Sequence, residues 1–191
     1  MKKTALSMLT GILALLIMAL PASAADELAV DPVHSSIVFR ILHMNAAPVF
    51  GRFNEKSGTI MLDAANPANS SVSFTVEAGS IDTGNQKRNE HLVSPDFFSA
   101  KEFPTLSFKS TSVSKVDDST WKVKGNLTVH GVTKEVTFNA MHRLGAGANG
   151  AAIHGFYTEF SINRMDYNVG PSFDNNALGH EVQLYISLEA K

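Results

Sequence analysis

The chain has 191 residues, a net charge of −2 and no cysteine. The missing cysteine excludes disulfides and thiol chemistry. There is no basic stretch, and the few aromatic residues are not interleaved with lysine or arginine, so we expect no nucleic-acid partner. The length suffices for one domain with a sizeable core.

The N-terminal segment predicts an export signal. Two lysines give a positive start, an uncharged apolar run extends from Ala5 to Leu20, and a small-residue triplet ends at Ala24. The apolar run is shorter than the ~20 residues that span a bilayer. We therefore expect a signal peptide over residues 1–24, cleavage after Ala24, no permanent membrane anchor, and one domain over residues 25–191.

Alternating apolar and polar residues predict a series of strands. The clearest is Ser71–Glu77, in which Val72, Phe74 and Val76 alternate with polar residues. The predicted strands are 37–43, 59–62, 71–77, 105–115, 120–129, 132–142, 153–162 and 181–189. The predicted fold class is all-β with eight antiparallel strands, either as a filled sandwich or as a closed barrel, because periodicity does not separate the two.

Two connections have clear local signals. The dipeptide His130-Gly131 between two strands predicts a two-residue hairpin turn, which a glycine favours. Asn85 predicts the N-cap of a short helix, and Ser94, followed by a proline, predicts a second helix start. We therefore expect a short helical insertion near residues 85–101.

The histidines raise the question of a metal site. The closest pairs are His34 with His43 and His142 with His154, and neither has the spacing that places two imidazoles on one metal from a single element. No nucleophile elbow or phosphate-binding glycine loop is present. We predict no catalytic residue, metal or cofactor, and a His-dependent metal or hydrolytic enzyme is the alternative that a composite site would support.

Three polar residues are candidates for ligand contact. Arg164 follows an apolar strand and begins a long irregular stretch, a kind of connection that is often functional. It is expected either to form a structural ion pair with Asp166 or Glu159 or to contact a ligand. Arg88 and His91 on the predicted helix have the same two roles open to them, and both would meet a polar or anionic group if the helix covers a barrel mouth.

Six segments, considered together, suggest a family. They are DPVHSSIVFRILH from Asp31, VFGRF from Val49, SIDTGNQKRNEHLVSPDFF from Ser80, FPTLSFKST from Phe103, GNLTVHGVTKEVTF from Gly125 and INRMDY from Ile162. In this order they resemble the YceI-like family of exported bacterial proteins. The resemblance implies an eight-stranded antiparallel lipocalin-like barrel with an elongated apolar interior. It also implies a periplasmic protein that binds a long polyisoprenoid chain and has no established catalytic activity.

Two positions depart from the family pattern. Asn89 stands where the family usually has an aspartate after the helix arginine, so Arg88 either lacks a charge partner or uses Glu90 instead. Asn168 stands where the family often has glycine after the aromatic residue of the arginine-containing motif. Asparagine also tolerates the left-handed conformation, so we expect the turn to be preserved.

The resemblance gives the phenylalanines a role as lining, whereas a filled sandwich would use them as core. The predicted ligand is a polyisoprenoid lipid, such as an isoprenoid quinone or a polyprenyl phosphate, with Arg88, His91 and Arg164 at its head-group end. The predicted lining residues are Phe39, Phe74, Val76, Phe108, Val123, Leu127, Phe138, Phe156 and Phe160. A stress-related interaction protein with a filled core and no ligand is a further alternative. The sequence leaves the oligomeric state open, a dimer included.

Overall fold

The computed structural model describes residues 25–191, so the predicted signal peptide and its cleavage site lie outside the described residues. Within residues 25–191 the chain forms ten strands and one α-helix, α1 (Gln86–Leu92). The strands are β1 (Asp26–His43), β2 (Ala47–Phe53), β3 (Lys56–Leu62), β4 (Ser71–Glu77), β5 (Ile81–Asp82), β6 (Thr105–Lys115), β7 (Thr120–Val129), β8 (Val132–Ala146), β9 (Ala152–Asn163) and β10 (Leu178–Ala190). No helix in that part of the chain is long and apolar enough to cross a membrane.

The strands form a closed antiparallel barrel with eight strand positions around its wall, as predicted. The first half of β1 pairs with β3 and its second half pairs with β2, so β2 and β3 together occupy one strand position, with a bend between them. In the same way β4 and β5 together occupy the next position, where β4 pairs with β3 and β5 pairs with β2. Pairing of β1 with β10, with Phe39 opposite Leu184, closes the barrel.

Strand β2 was not predicted from the sequence. It contains Pro48 and Gly51, two residues that weaken a strand pattern, yet it pairs with β1 along its whole length. Gly51 lies directly opposite Phe39, and Pro48 lies opposite Leu42. Pairing with the long strand β1 therefore stabilises β2 in the sheet despite its composition.

The predicted turn at His130-Gly131 is confirmed. His130 has φ 50° and Gly131 has φ 71°, which is the pair of positive values that a type I′ hairpin turn requires. Val129 and Val132 form the last pair of the ladder. The turn therefore holds β7 and β8 in the register that the alternating sequence predicts.

The helical insertion is only partly helical. Asn85 caps α1 as predicted, because its side chain accepts a hydrogen bond from the Arg88 amide. The second helix predicted at Ser94 is wrong, since residues 93–103 form a series of turns. The Ser99 amide donates to the Ser94 carbonyl, and Ser99 itself has φ 44°, which no helix permits.

Three phenylalanine rings lie against glycines of neighbouring strands. A β-carbon added to Gly58 would lie 2.5 Å from the Phe74 ring, and one added to Gly125 would lie 2.5 Å from the Phe108 ring. The Phe39 ring approaches Gly51 in the same way. Because each ring occupies the space of a missing side chain on the wall, it does not project across the barrel. Glycine in the interior of a strand often marks such a close approach.

We expect Gly125→Ala to destabilise the fold by about 1–3 kcal/mol, the usual cost of overpacking. Its new methyl group would lie 2.5 Å from the Lys109 carbonyl oxygen and 2.7 Å from the Ser110 α-carbon, which are backbone atoms that cannot turn away. Urea unfolding followed by circular dichroism measures the change. Gly155→Ala in β9 is the matched control, because its nearest neighbour would be 3.7 Å away. Equal stability of the two variants would contradict the role assigned to Gly125.

Candidate functional site: an apolar cavity inside the barrel

The barrel encloses an apolar cavity of about 510 Å³. At one end it reaches His91, Phe97 and Phe173, beside α1 and the segment that follows β9. We call this end the mouth; it is formed by α1, residues 93–103 and residues 164–178. At the other end, the distal end, the cavity reaches Trp121 and Leu188. The volume is within the range of about 300–1,000 Å³ that is common for small-molecule sites.

All nine predicted apolar lining residues border this cavity, and so do the three predicted head-group residues. The apolar set is Phe39, Phe74, Val76, Phe108, Val123, Leu127, Phe138, Phe156 and Phe160. Phe138 and Phe160 stack with ring centroids 4.7 Å apart. These two rings and Phe156 are only half-buried although they point inward, so part of their surface faces empty space rather than other side chains. That these residues bind a ligand stays a prediction.

Several aromatic residues that border the cavity were not predicted from the sequence. Phe53 on β2 packs edge-on against Phe98, with 5.7 Å between ring centroids. Phe97 stacks on Phe173 at 5.1 Å and forms one wall of the mouth. The segment SPDFF carries the signal for Phe97 and Phe98, but its capping residue and proline predict a helix. Trp121 was recognised as a strand residue and not as lining.

Arg88 is held by the loop before α1. Its Nε donates to the Thr83 hydroxyl at 2.8 Å, and its Nη2 donates to the Thr83 carbonyl at 2.8 Å. Asn89 supports the same residue, because its Oδ1 accepts from the Thr83 amide and hydroxyl. Glu90 does not replace the family's aspartate, since it accepts a hydrogen bond from Gln86 instead. Asn89 therefore keeps the loop in place by hydrogen bonds without supplying a charge to Arg88.

His91 belongs to the aromatic wall of the mouth. Its Nε2 lies 3.1 Å from the Asp96 carboxylate. Its ring is edge-on to Phe97 at 5.0 Å and to Phe173 at 6.2 Å. A ring in this place presents a polar edge beside an otherwise apolar opening.

Arg164 is the most constrained residue of the mouth. Only 3% of its surface is exposed. Its five N–H donors have five backbone carbonyl acceptors between residues 169 and 179. At 2.9 Å are the carbonyls of Gly179, Val169 and Leu178, and those of Gly170 and Phe173 accept the remaining two hydrogen bonds.

The predicted ion pair of Arg164 with Asp166 or Glu159 is wrong. Among the described residues, no carboxylate lies within salt-bridge distance of its guanidinium. Burial lowers the pKa of Arg164. The preserved turn after it, with Asn168 at φ 55°, brings the first of the five carbonyls within reach. Arg164 therefore organises the mouth loop, and all five of its N–H donors are used in doing so.

His34 and His43 do not come together. His43 lies beside the mouth, whereas His34 lies at the distal end near Asp31 and Glu189. Those three side chains offer ligand atoms within 4.8 Å of one another, but they lie outside the cavity. The ammonium of Lys191 already lies 2.8 Å from the Asp31 carboxylate. It forms an ion pair at the position that a cation would take.

His142 and His154 do meet, which their spacing did not predict. Nε2 of His142 lies 3.1 Å from Nδ1 of His154, and the rings are nearly parallel, with 10° between their planes. Phe156 stacks on His142 at 4.8 Å. The pair lies on the part of the β8–β9 hairpin beyond the cavity, and neither ring borders the cavity. A composite site with two histidines inside the cavity is therefore not what the structure forms.

We expect Arg164→Lys to lower the free energy of unfolding by about 2 kcal/mol or more. Lysine has three donors, so at least two buried carbonyls lose their partner, at about 1–3 kcal/mol for each unsatisfied group. Urea unfolding measures the loss, and limited proteolysis should show faster cleavage between residues 168 and 178. Arg143→Lys is the control, because Arg143 is an exposed residue of β8, and it should change stability by less than about 0.5 kcal/mol. Wild-type stability of the Arg164→Lys variant would contradict the assigned role.

The histidine pair predicts a loss of stability in acid. Burial, then the neighbouring His154 and Lys115, lower the pKa of His142 below its ordinary 6.5. The folded state therefore binds this proton less readily than the unfolded chain, and stability is lost as the pH falls from about 6.5 through the lowered value. His142→Phe removes the titration and keeps a ring on Phe156.

Thermal unfolding at about pH 7.5 and about pH 5 tests this expectation. The melting temperature of His142→Phe should fall less between the two values than that of the wild type. His43→Phe, which removes an exposed histidine beside the mouth, should keep the wild-type difference. If the melting temperature of His142→Phe falls as much as that of the wild type, the histidine pair does not determine the loss of stability in acid.

Comparison with known proteins agrees with the geometry. Residues 28–190 match the YceI-like domain family. Protein YceI of Salmonella newport strain SL254 is 37% identical over 158 residues, which cover 82% of this chain and 81% of the relative.

Solved structures share the fold. BcnA of Burkholderia cenocepacia superposes with a TM-score of 0.78 at 27% identity, covering 85% of this chain and 99% of that one. The YceI protein of Campylobacter jejuni superposes with a TM-score of 0.71 at 31% identity, covering 78% and 88%. A polyisoprenoid binding domain from Saccharophagus degradans, implicated in plant cell wall breakdown, superposes with a TM-score of 0.69 at 18% identity, covering 88% and 99%, which is a likeness of fold alone. On the family match and the identity to its curated relatives, the chain belongs to the YceI-like family.

Proposed function

We propose that this protein holds a polyisoprenoid lipid in the barrel interior and acts as a non-catalytic binding or carrier protein of the periplasm. The observation that carries the proposal is the continuous apolar cavity of about 510 Å³. It runs from the aromatic mouth to Trp121 at the distal end. The export signal that the sequence predicts before Ala24 supports the location. The name of the Saccharophagus degradans domain supports the ligand class only by analogy, because that likeness is one of fold.

The energetics favour a long branched hydrocarbon. Burial of one CH₂ group is worth about 0.8 kcal/mol, so one five-carbon isoprene unit contributes about 4 kcal/mol before costs. Association costs an estimated 4–15 kcal/mol in lost freedom. Several buried units are therefore needed for tight binding, which a cavity extending the length of the barrel can accommodate.

The mouth is suited to a polar head group of the quinone or polyprenyl phosphate type. Arg164 contributes a buried positive charge that has no carboxylate partner within residues 25–191. Arg88 and the polar edge of His91 lie on the same side. A buried positive charge at the opening favours an anion or the oxygen of a carbonyl group. We assign the head group to this end and the tail to the interior.

Two other functions have less support. An interaction protein with a filled core would not leave half-buried phenylalanines around an empty interior. A hydrolytic or metal-assisted enzyme would need polar groups converging in the cavity. The described histidine and carboxylate clusters lie outside it instead.

We expect organic extraction and native mass spectrometry of protein from the periplasmic fraction to recover a polyisoprenoid. Val76→Trp should reduce the recovered lipid at least fivefold, because a large ring at this buried lining position fills the interior. Leu127→Trp tests a second lining position in the same way. Ser73→Trp is the matched control, since it adds the same bulk to the exposed outer face of the same strand.

Circular dichroism and the melting temperature must first show that each variant folds. The proposal fails if several wild-type preparations contain no lipid. It also fails if folded Val76→Trp and Leu127→Trp variants retain as much lipid as Ser73→Trp.

A further inference from the structure

The end of the β1–β2 hairpin is an exposed apolar projection beside the mouth. Residues 42–50, which we call the hairpin end, have the sequence LHMNAAPVF and contain no aspartate, glutamate, lysine or arginine. Met44 is 62% exposed and Phe50 is 54% exposed. Large apolar side chains on a projecting turn are unfavourable in water unless something covers them.

The hairpin end is held in a fixed position next to the cavity. The Met44 amide donates to the Ala177 carbonyl at 3.0 Å, and the Asn45 amide group donates to Asn176 at 3.0 Å. Met44 and Asn45 have φ values of 51° and 49°. The left-handed conformation is unfavourable for a residue such as methionine. These contacts keep Met44 at the tip in that conformation.

Met44 connects the outer surface with the interior. It is exposed to solvent and it also borders the cavity, together with His43, Val49 and Ala177. An apolar path therefore runs from the hairpin end into the barrel. A lipid tail moving along this path would not have to cross water, which is the costly part of its transfer.

The charges around the hairpin end suit a lipid surface. Arg40 and Arg52 lie on the outer face of the same two strands, and Arg40 is directly opposite Phe50. Both arginines are exposed, although Arg52 also lies 3.5 Å from the Asp82 carboxylate. Lys87 and Arg88 are exposed on nearby α1. An apolar tip above basic side chains is the arrangement of interfacial membrane anchors, in which the stems enter the boundary and the charges meet anionic head groups.

The projection is too small for a stable protein interface. A standard interface buries about 800 Å² on each partner. Phe50 and Met44 are the two large exposed apolar side chains of the hairpin end, and an aromatic side chain buries about 150–250 Å². Insertion into a bilayer needs no matching surface of that size.

We propose that the hairpin end docks this protein on the surface of an anionic lipid bilayer and positions the mouth for lipid transfer. The purpose of this docking rests on the proposed function, but the docking itself does not require a bound lipid. Phe50 lies on the outer face and does not border the cavity, so its removal separates docking from cargo binding.

The experiment is co-sedimentation of delipidated protein with sucrose-loaded vesicles of phosphatidylcholine containing about one third phosphatidylglycerol. We expect Phe50→Asp to lower the vesicle partition coefficient at least tenfold, and Met44→Asp to do the same. Val116→Asp is the matched control, because Val116 is 56% exposed at the distal end, and it should bind like the wild type. Vesicles of phosphatidylcholine alone should bind less, since the arginines then lose their anionic partners.

Each result decides between docking and its alternatives. Absence of wild-type binding, or equal loss in Val116→Asp, would overturn the proposal. Size-exclusion chromatography in which Phe50→Asp dissociates a dimer would also overturn it, in favour of a second copy covering the hairpin end. Lipid extracted from Phe50→Asp should equal that from the wild type. Vesicle binding without any extractable lipid would support docking and reject the proposed cargo. Extractable lipid without vesicle binding would support the cargo and reject docking.

Discussion

Phe39, Phe74 and Phe108 each lie against a strand glycine, and this contact keeps the three rings along the barrel wall. An eight-stranded barrel is just wide enough for its inward side chains to fill it or to leave space for one small ligand. A ring that projects inward helps to fill the interior. A ring that lies along the wall, over a position without a β-carbon, leaves space for a ligand. The half-buried rings of Phe138, Phe156 and Phe160 also border the cavity, and Phe138 contacts Phe108 with 5.4 Å between ring centroids.

A hollow barrel loses part of the packing that normally stabilises a core, and the mouth compensates with hydrogen bonds. Arg164 ties five carbonyls of one irregular segment to a single planar group. A lysine would lack donors for this task, and an apolar residue would leave the carbonyls unsatisfied. The same residue places a positive charge at the opening. Its structural role therefore explains why the mouth is ordered, and its charge is the feature on which the proposed head-group assignment rests.

Most of the barrel could be predicted from the sequence, and most of the mouth could not. Strands such as Ser71–Glu77 have an alternation that depends only on which face is buried, so their type and inward residues follow from local pattern. Strand β2 was missed because its proline and glycine are acceptable only beside its partner. The second helix was predicted because Ser94 begins a segment with helix-start signals, but Ser99 and the packing of Phe97 and Phe98 favour turns instead. The carbonyl partners of Arg164 come from a segment with no regular pattern, so no spacing rule could identify them.

The two ends of the barrel differ in a way that gives the cavity a direction. The mouth combines aromatic rings, a buried guanidinium and an apolar projection outside. At the distal end, the buried Trp121 ring lies edge-on to His142 at 6.3 Å, and the cavity stops short of the histidine pair. Binding to an apolar wall depends on buried area and shape. Such a wall offers few hydrogen bonds that could distinguish one hydrocarbon tail from another. For the proposed lipid cargo, selectivity among lipids with similar tails must therefore arise at the mouth, where the polar groups are, and the length of the interior would set how much of the tail is held.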